Sequence, residues 1–330
     1  MRLIVLLLAL MPLAALADTR QIVDTQILPG VTQLAERAET LHKTARQNCT
    51  PSMPLKDAYS TAFDAWVTIS HLRFGPTETD DRAFALAFWP DSRGATPKAL
   101  SKLISQSDPI AQTAQGYRDV SIAARGFYAL EFLLYDPAFT DAGKPEYRCQ
   151  LIQTMTADIA LTTRAIAQDW HGSYATKLID PSADGPYRTD QEVTQELFKA
   201  LSTGLQFTSE TRLGRPLGTF DKPRPLRAEA RRSDRSLRHV ELSLSALQSL
   251  ALALASDAPE LQGTLDQRFT KALEVAGRIQ DPSFAGVADP ASRLRVEALQ
   301  SAVEAIRLTV GLDLASHLGV SAGFNALDGD

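Results

Sequence analysis

Apolar residues recur every three or four positions along almost the whole chain, and this spacing constrains the fold more than any other feature. Between residues 147 and 178 one stripe contains Leu151, Met155, Ile159, Thr162, Ile166, Trp170 and Tyr174. This period is that of a single buried helix face. No segment has the alternation of apolar and polar residues that is typical of strands. The sequence therefore predicts an all-α protein.

Two more segments have helical features. Between residues 289 and 318 the same spacing places apolar side chains at Leu299, Val303, Ile306, Val310 and Leu314. The preceding Asp289-Pro290 pair is typical of a helix start. Residues 236–256 are rich in Leu and Ala with few charges, which predicts a helix buried on several sides. The longest polar stretches rich in Pro and Gly are residues 180–186 and 214–225, and we place a domain boundary in one of them.

The first residues have the features of an export signal. Arg2 precedes the apolar run at residues 3–10, and a small-residue Ala-x-Ala pattern ends at Ala17, before Asp18. This order is that of a secretory signal peptide. We therefore expect a signal peptide at residues 1–17, cleavage between Ala17 and Asp18, and Sec-dependent export. No later segment approaches the roughly 18 apolar residues that span a bilayer, so we expect a soluble periplasmic protein that does not span the membrane.

Charge and cysteine content narrow the function further. The formal net charge is -5, which argues against a nucleic-acid partner. The two cysteines are Cys49 and Cys149, and an even number in an exported chain favours a disulfide. Metal thiolates are the alternative, but no CxxC pattern supports them.

A short segment at residues 125–136 is the most informative motif. It contains Gly126, Tyr128 and Glu131 in the spacing Gly-x-Tyr-x-x-Glu. This resembles the Gly-x-His-x-x-Glu signature of the imelysin family, with tyrosine in place of histidine. Further resemblances occur along the chain. In the first half they are Trp66, the Leu-Arg-Phe-Gly-Pro run at residues 72–76, which contains Arg73, and the Phe-Trp-Pro-Asp run at residues 88–91. In the second half they are the segment 217–237, which contains Glu229, Arg232 and Ser236, and the Gly-Phe…Asp-Gly-Asp terminus at residues 323–330.

The resemblance implies a fold and a biological setting. Imelysins are bacterial envelope proteins linked to iron acquisition and were once classed as metallopeptidases. The resemblance implies two packed helical bundles with a functional site near their junction. We expect an N-terminal bundle over residues 18–185, which carries the motif, and a C-terminal bundle over residues 186–330. The resemblance also implies five candidate ligand-binding residues: Trp66, Arg73, Glu229, Arg232 and Ser236.

The motif predicts a possible set of metal ligands. Tyr128 and Glu131 are three residues apart and share a helix face. A phenolate and a carboxylate are hard oxygen ligands that suit Fe(III) better than Zn(II). His71, just after Trp66, is a candidate to replace the missing imidazole. The alternatives are a structural hydrogen bond between Tyr128 and Glu131, and an ordinary helix-face histidine at position 71.

A basic segment at residues 222–239 predicts an anion site. Four of its arginines fall on one helical face: Arg227, Arg231, Arg235 and Arg238. Guanidinium groups bind carboxylates through paired hydrogen bonds. The segment therefore suits a carboxylate-rich chelate, sulfate or polysaccharide, with ion pairing between domains as the alternative.

Three functions fit these residues. The first is a non-enzymatic component of an iron-linked envelope system, which binds iron, another divalent or trivalent metal, or an anionic metal chelate, with other iron-uptake envelope proteins as partners. Its site has Glu131 and Tyr128 on one wall and the basic segment on the other. The second is a metallopeptidase, although the five histidines lack zincin spacing and a catalytic zinc needs about three protein ligands. The third is a scaffold with a vestigial site.

Overall fold

Helices dominate the computed structural model, which describes residues 19–321. We label the helices of ten or more residues α1 to α9. They are α1 (Leu28–Gln47), α2 (Met53–Ile69), α3 (Ala95–Gln106), α4 (Gly126–Tyr135), α5 (Pro145–Asp169), α6 (Asp190–Gln206), α7 (Ser236–Leu254), α8 (Pro259–Ala276) and α9 (Pro290–Thr309). Within residues 19–321 there is no strand, only an isolated bridge between Thr219 and Lys222. The predicted all-α class is therefore confirmed.

Shorter helical segments extend or connect these helices. The α-helical ones are Thr19–Ile22, Arg82–Leu86, Ala114–Tyr117, Pro137–Thr140, Ala175–Ile179, Gly214–Leu217 and Ala315–Leu318. Four π-helical segments adjoin the ends of long helices: Val23–Ile27 before α1, Trp170–Tyr174 after α5, Phe207–Leu213 after α6 and Val310–Leu314 after α9. Such wide turns are often found at functional sites, and the one after α6 carries part of the site described below.

The predicted helix signals correspond to observed structure. In α5 and the segment after it, every member of the predicted stripe is buried except Tyr174, which is half-buried. At the start of α9, the Asp289 carboxylate accepts a hydrogen bond from the amide of Ser292 at 2.9 Å, and Pro290 occupies the first helical position. The side chain thus satisfies an amide that has no partner within the helix. Both helices form where the periodicity predicts them.

Helix packing brings the two halves of the chain into contact. Helix α1 packs against α2 and α5, and α4 lies against the same two helices. In the second half, α7 packs against α6 and α8, and α9 contacts the same two helices. Helix α7 also packs against α2 and so joins the halves. The proposed boundary at residues 185 and 186 falls in the stretch between Ile179 and Asp190, and the division into two domains stays a prediction.

Gly126 fixes the start of α4. Its φ is +74°, a region that residues with a Cβ rarely adopt. A Cβ there would collide with the carbonyl oxygens of Ala85 and Leu86. The close approach of two backbones therefore explains this glycine, which begins the helix that carries Tyr128.

The basic segment is not one helix, so the prediction that its arginines share a helical face is wrong. Pro225–Arg227 forms a single 3-10 turn, and α7 begins only at Ser236. Between them Ala230 and Asp234 have φ values of 44° and 54°. Two left-handed residues break any helix, and the chain turns back on itself instead.

The two cysteines form the predicted disulfide. Cys49, just after α1, is bonded to Cys149 in α5, with Cα atoms 5.1 Å apart. The predicted signal peptide, the cleavage site at Ala17 and Asp18, and the closing motif at residues 323–330 lie outside the described residues. Within residues 19–321 no helix is long and apolar enough to cross a membrane.

Replacing both Cys49 and Cys149 by serine should lower the free energy of unfolding. The bond closes a loop with a sequence separation of 100 residues, for which the chain-entropy estimate is about 4–5 kcal/mol. Urea denaturation of the double variant and of the oxidised protein measures the difference. Chemically reduced wild-type protein should match the variant. A change below about 1 kcal/mol would contradict a stabilising role for this bond.

Candidate functional site

Two cavities meet at the side chains of Tyr128 and Trp89. The first, here called the aromatic cavity, has a volume of about 230 Å³. Its main lining residues are Trp66, His71, Arg73, Phe84, Trp89, Tyr128, Thr203, Phe207, Arg212 and Glu229. The second, the basic cavity, has a volume of about 210 Å³. Its main lining residues are Trp89, Asp91, Tyr128, Glu131, Phe132, Arg215, Arg227 and Arg232.

Glu229 is the centre of a buried polar network. Its Oε1 accepts a hydrogen bond from the Tyr128 hydroxyl, and its Oε2 accepts one from Arg212 Nε at 2.7 Å. Arg212 Nη1 also donates to Ser243 Oγ at 2.7 Å. His239 Nδ1 lies 3.4 Å from Glu229 Oε2. The carboxylate thus has partners from three different segments of the chain.

The network fixes the charge of its members. Burial is the largest single effect on the pKa of Glu229 and would raise it, but the charge of Arg212 together with the interactions of His239 and Tyr128 lowers that pKa to about 2. Burial, and then the charge of Glu229, raises the pKa of Tyr128 well above its usual range. At neutral pH Glu229 is therefore a carboxylate and Tyr128 is a neutral phenol, beside the Arg212 guanidinium.

Glu131 belongs to a different set of contacts. Its Oε1 accepts hydrogen bonds from the Ser233 amide at 2.9 Å and from Ser233 Oγ at 2.7 Å. Burial raises its pKa, against the effect of these bonds. The alternative of a hydrogen bond between Tyr128 and Glu131 is wrong, because the phenol donates to Glu229 from the facing segment instead.

His71 lines the aromatic cavity with Trp66 and Arg73. Its imidazole makes no hydrogen bond within residues 19–321. Burial and then the charge of Arg212 lower the pKa of His71 to about 4, so it is neutral at pH 7. Arg73 at the cavity wall forms an ion pair with Glu78.

The basic cavity contains arginines of two kinds. Arg232 is compensated, because its Nε lies 2.6 Å from Asp136 Oδ2 and its guanidinium packs 3.6 Å from the centre of the Phe132 ring. Arg215 and Arg227 form no ion pair within the described part of the chain. Burial and then the charge of Arg227 lower the pKa of Arg215. This wall therefore carries uncompensated positive charge.

The predicted site residues divide between the two cavities. Five of them line the aromatic cavity: Trp66, His71, Arg73, Tyr128 and Glu229. The basic cavity contains Tyr128 again, with Glu131 and Arg232. Ser236 lines neither cavity, and its hydroxyl donates to the Glu229 carbonyl oxygen. It therefore holds the segment that carries Glu229 rather than contacting a ligand.

The sequence reasoning missed Arg212 and His239. Arg212 follows Gly204 and Thr208 at intervals of four, and this small and polar stripe was a usable signal for a buried polar face. His239 is fully buried and packs edge-on against Phe63, with ring centres 4.5 Å apart. Ser236, His239 and Ser243 share one face of α7. The imidazole nearest Glu229 is thus His239, which the motif comparison did not single out.

The side chains present do not fit a resident bare metal ion. Within residues 19–321 no group of three or more His, Cys, Asp and Glu side chains is close enough to hold one. Protein zinc sites use three or four such ligands. The Arg212 guanidinium already lies against Glu229, and its charge would repel a cation at the same carboxylate.

This fold and this site define a helical protein with adjoining aromatic and basic cavities between its helices. The chain matches the Imelysin family over residues 27–310, and it belongs to that family. No curated protein matches the chain.

Two solved structures share the fold. An imelysin-like protein from Psychrobacter arcticum 273-4 superposes with a TM-score of 0.78 at 20% identity, covering 93% of this chain and 98% of that one. A putative iron-regulated protein A precursor from Parabacteroides distasonis ATCC 8503 superposes with a TM-score of 0.75 at 14% identity, covering 92% of this chain and 94% of that one. At these identities the likeness concerns the fold alone.

Removing one partner of the Arg212–Glu229 pair should destabilise the protein strongly. Arg212→Met leaves a buried carboxylate unpaired, which typically costs about 3–5 kcal/mol. Combining it with Glu229→Gln should cost less than the sum of the single changes, because neither charge is then stranded. Urea denaturation at pH 7 gives the free energy of unfolding of the wild-type protein, of each single variant and of the double variant. Arg278→Met is the control, because Arg278 pairs with Glu274 at the surface and such pairs contribute less than about 1 kcal/mol. Strict additivity would contradict the coupling.

His71 should make the protein less stable as the pH falls. In the unfolded chain its imidazole takes up a proton below its ordinary pKa of 6.5, whereas the folded protein resists protonation until about pH 4. Protonation therefore favours unfolding in this window, by up to about 3 kcal/mol at its lower end. His71→Gln should remove this part of the pH dependence. The comparison between the two proteins is needed because the pKa of His42 is also lowered. If the free energies of unfolding of the wild-type protein and of His71→Gln changed in parallel from pH 7 to pH 4, this role of His71 would be refuted.

Proposed function

We propose that this protein is a non-enzymatic binding component of an iron-acquisition system, and that it binds an anionic metal chelate in the basic cavity. The observation that carries the proposal is the pair of arginines, Arg215 and Arg227, that line this cavity and form no ion pair with the described carboxylates. The iron setting is supported by the family and by the iron-regulated precursor that shares the fold.

Uncompensated guanidinium groups in one cavity favour an anionic ligand. The charge of Arg227 lowers the pKa of the half-buried Arg215, which means that the two positive charges repel each other. A carboxylate between them relieves this repulsion and accepts paired hydrogen bonds. Arg215 also lies 5.8 Å from the centre of the Trp89 ring, a contact that orients its guanidinium.

The opposite wall offers oxygen ligands to the metal within a chelate. Glu131 lines the cavity beside Tyr128 and forms no ion pair within residues 19–321. Asp91, the other acidic group there, accepts one backbone amide hydrogen bond at each carboxylate oxygen, from Ala95 and from Thr96 at 2.8 Å. Glu131 accepts both of its hydrogen bonds at Oε1, so we assign its Oε2 to the metal of the bound chelate.

Two alternatives are weaker on this geometry. A metallopeptidase needs a resident metal, and the donor set of the described residues does not fit one. A scaffold with a vestigial site gives no role to the uncompensated arginines.

We also propose export to the periplasm, with which the disulfide is compatible, and other iron-uptake envelope proteins as partners.

Isothermal calorimetry with Fe(III)-citrate should detect saturable binding near one equivalent. Arg215→Gln and Arg227→Gln should each weaken it by about tenfold or more, because a charge-assisted hydrogen bond contributes roughly 1.5–3 kcal/mol. Glu131→Ala should weaken binding of the ferric chelate but not of metal-free citrate. Arg278→Gln, which removes an exposed arginine of a surface pair, should bind like the wild type.

Two results would refute the proposal. One is tight binding of Zn(II) alone that survives both arginine changes, since the ligand would then be a bare cation. The other is no binding of ferric citrate by a folded protein, which leaves the scaffold alternative.

A further inference from the structure

The aromatic cavity is separated from the basic cavity by Tyr128 and Trp89, and it has a different chemical character. Rings from four separate segments line it, those of Trp66, Phe84, Trp89 and Phe207. Phe84 marks its mouth, because 44% of this side chain is exposed and Arg73 lies over its ring at 5.0 Å. The cavity is therefore an apolar space that solutes can enter from the surface.

The charges around the aromatic cavity are compensated by the protein itself. Arg212 is paired with Glu229, and Arg73 is paired with Glu78. His71 is neutral at pH 7 because burial lowers its pKa. A charged ligand would lose its hydration without gaining a free counter-charge. The lining thus favours a neutral ligand.

One buried polar group in the cavity wall makes no hydrogen bond with the described part of the chain. It is Thr203 Oγ1, and Thr203 lines the cavity. Buried polar groups are nearly always hydrogen-bonded, so this hydroxyl indicates a ligand with a polar atom at its end of the cavity.

The volume sets the size of the ligand. An apolar cavity of about 150 Å³ holds benzene, and this one has about 230 Å³, which suits two fused rings. We propose that the aromatic cavity is a second binding site, for a neutral, flat, bicyclic aromatic molecule whose ring N–H donates a hydrogen bond to Thr203 Oγ1. This site does not depend on chelate binding in the basic cavity.

Calorimetric titration with indole and with benzothiophene tests the proposal. Benzothiophene has the same shape but no N–H, so indole should bind the wild-type protein more tightly. Thr203→Val keeps the side-chain shape and should weaken indole binding by about tenfold, the value of one hydrogen bond, and leave benzothiophene binding unchanged. Ala87→Trp should fill the cavity and abolish binding of both.

Some outcomes would overturn the proposal. They are no saturable binding of indole to the wild-type protein, equal affinities for indole and benzothiophene, and tighter binding of the anion indole-3-acetate than of indole. Unfolding temperatures identify any variant that fails to fold, and the comparison of ligands on the wild-type protein needs no variant. Failure of the indole titration leaves the ferric citrate result unaffected, so the two proposals are judged separately.

Discussion

The buried ion pair between Arg212 and Glu229 is the interaction on which the rest of the site depends. It sets the charge of Glu229, and through Glu229 it holds the Tyr128 hydroxyl. Because each partner neutralises the other, the pair adds no net charge to the aromatic cavity beside it. Arg215 and Arg227, which form no ion pair within residues 19–321, lie in the basic cavity instead. Tyr128, in the position of the family's histidine, faces both cavities.

The fold was predictable from the sequence because its signals are local. The helix at residues 147–178 follows from periodic burial, and the start of α9 follows from the Asp289-Pro290 pair. The disulfide was predictable from the number of cysteines and the expected export of the chain.

The site was only partly predictable, because it depends on contacts between residues distant in sequence. The motif pointed to Tyr128 and Glu131 but not to their partners, which lie about a hundred positions away. Treating the basic segment as a helix put its arginines on one face, whereas two left-handed residues turn the chain there. Arg212 was missed because one arginine in an amphipathic segment looks like any solvent-exposed charge.

The π-helical segment after α6 ties the site to the exact length of the chain. Arg212 and Phe207 both lie in Phe207–Leu213, where the wide turn accommodates an extra residue relative to an α-helix. Loss or gain of one residue in the regular part of α6, ahead of the wide turn, would instead rotate everything that follows by about 100°. Arg212 would then leave Glu229. Homologues of this protein should therefore keep the spacing between α6 and Arg212 wherever they keep this ion pair.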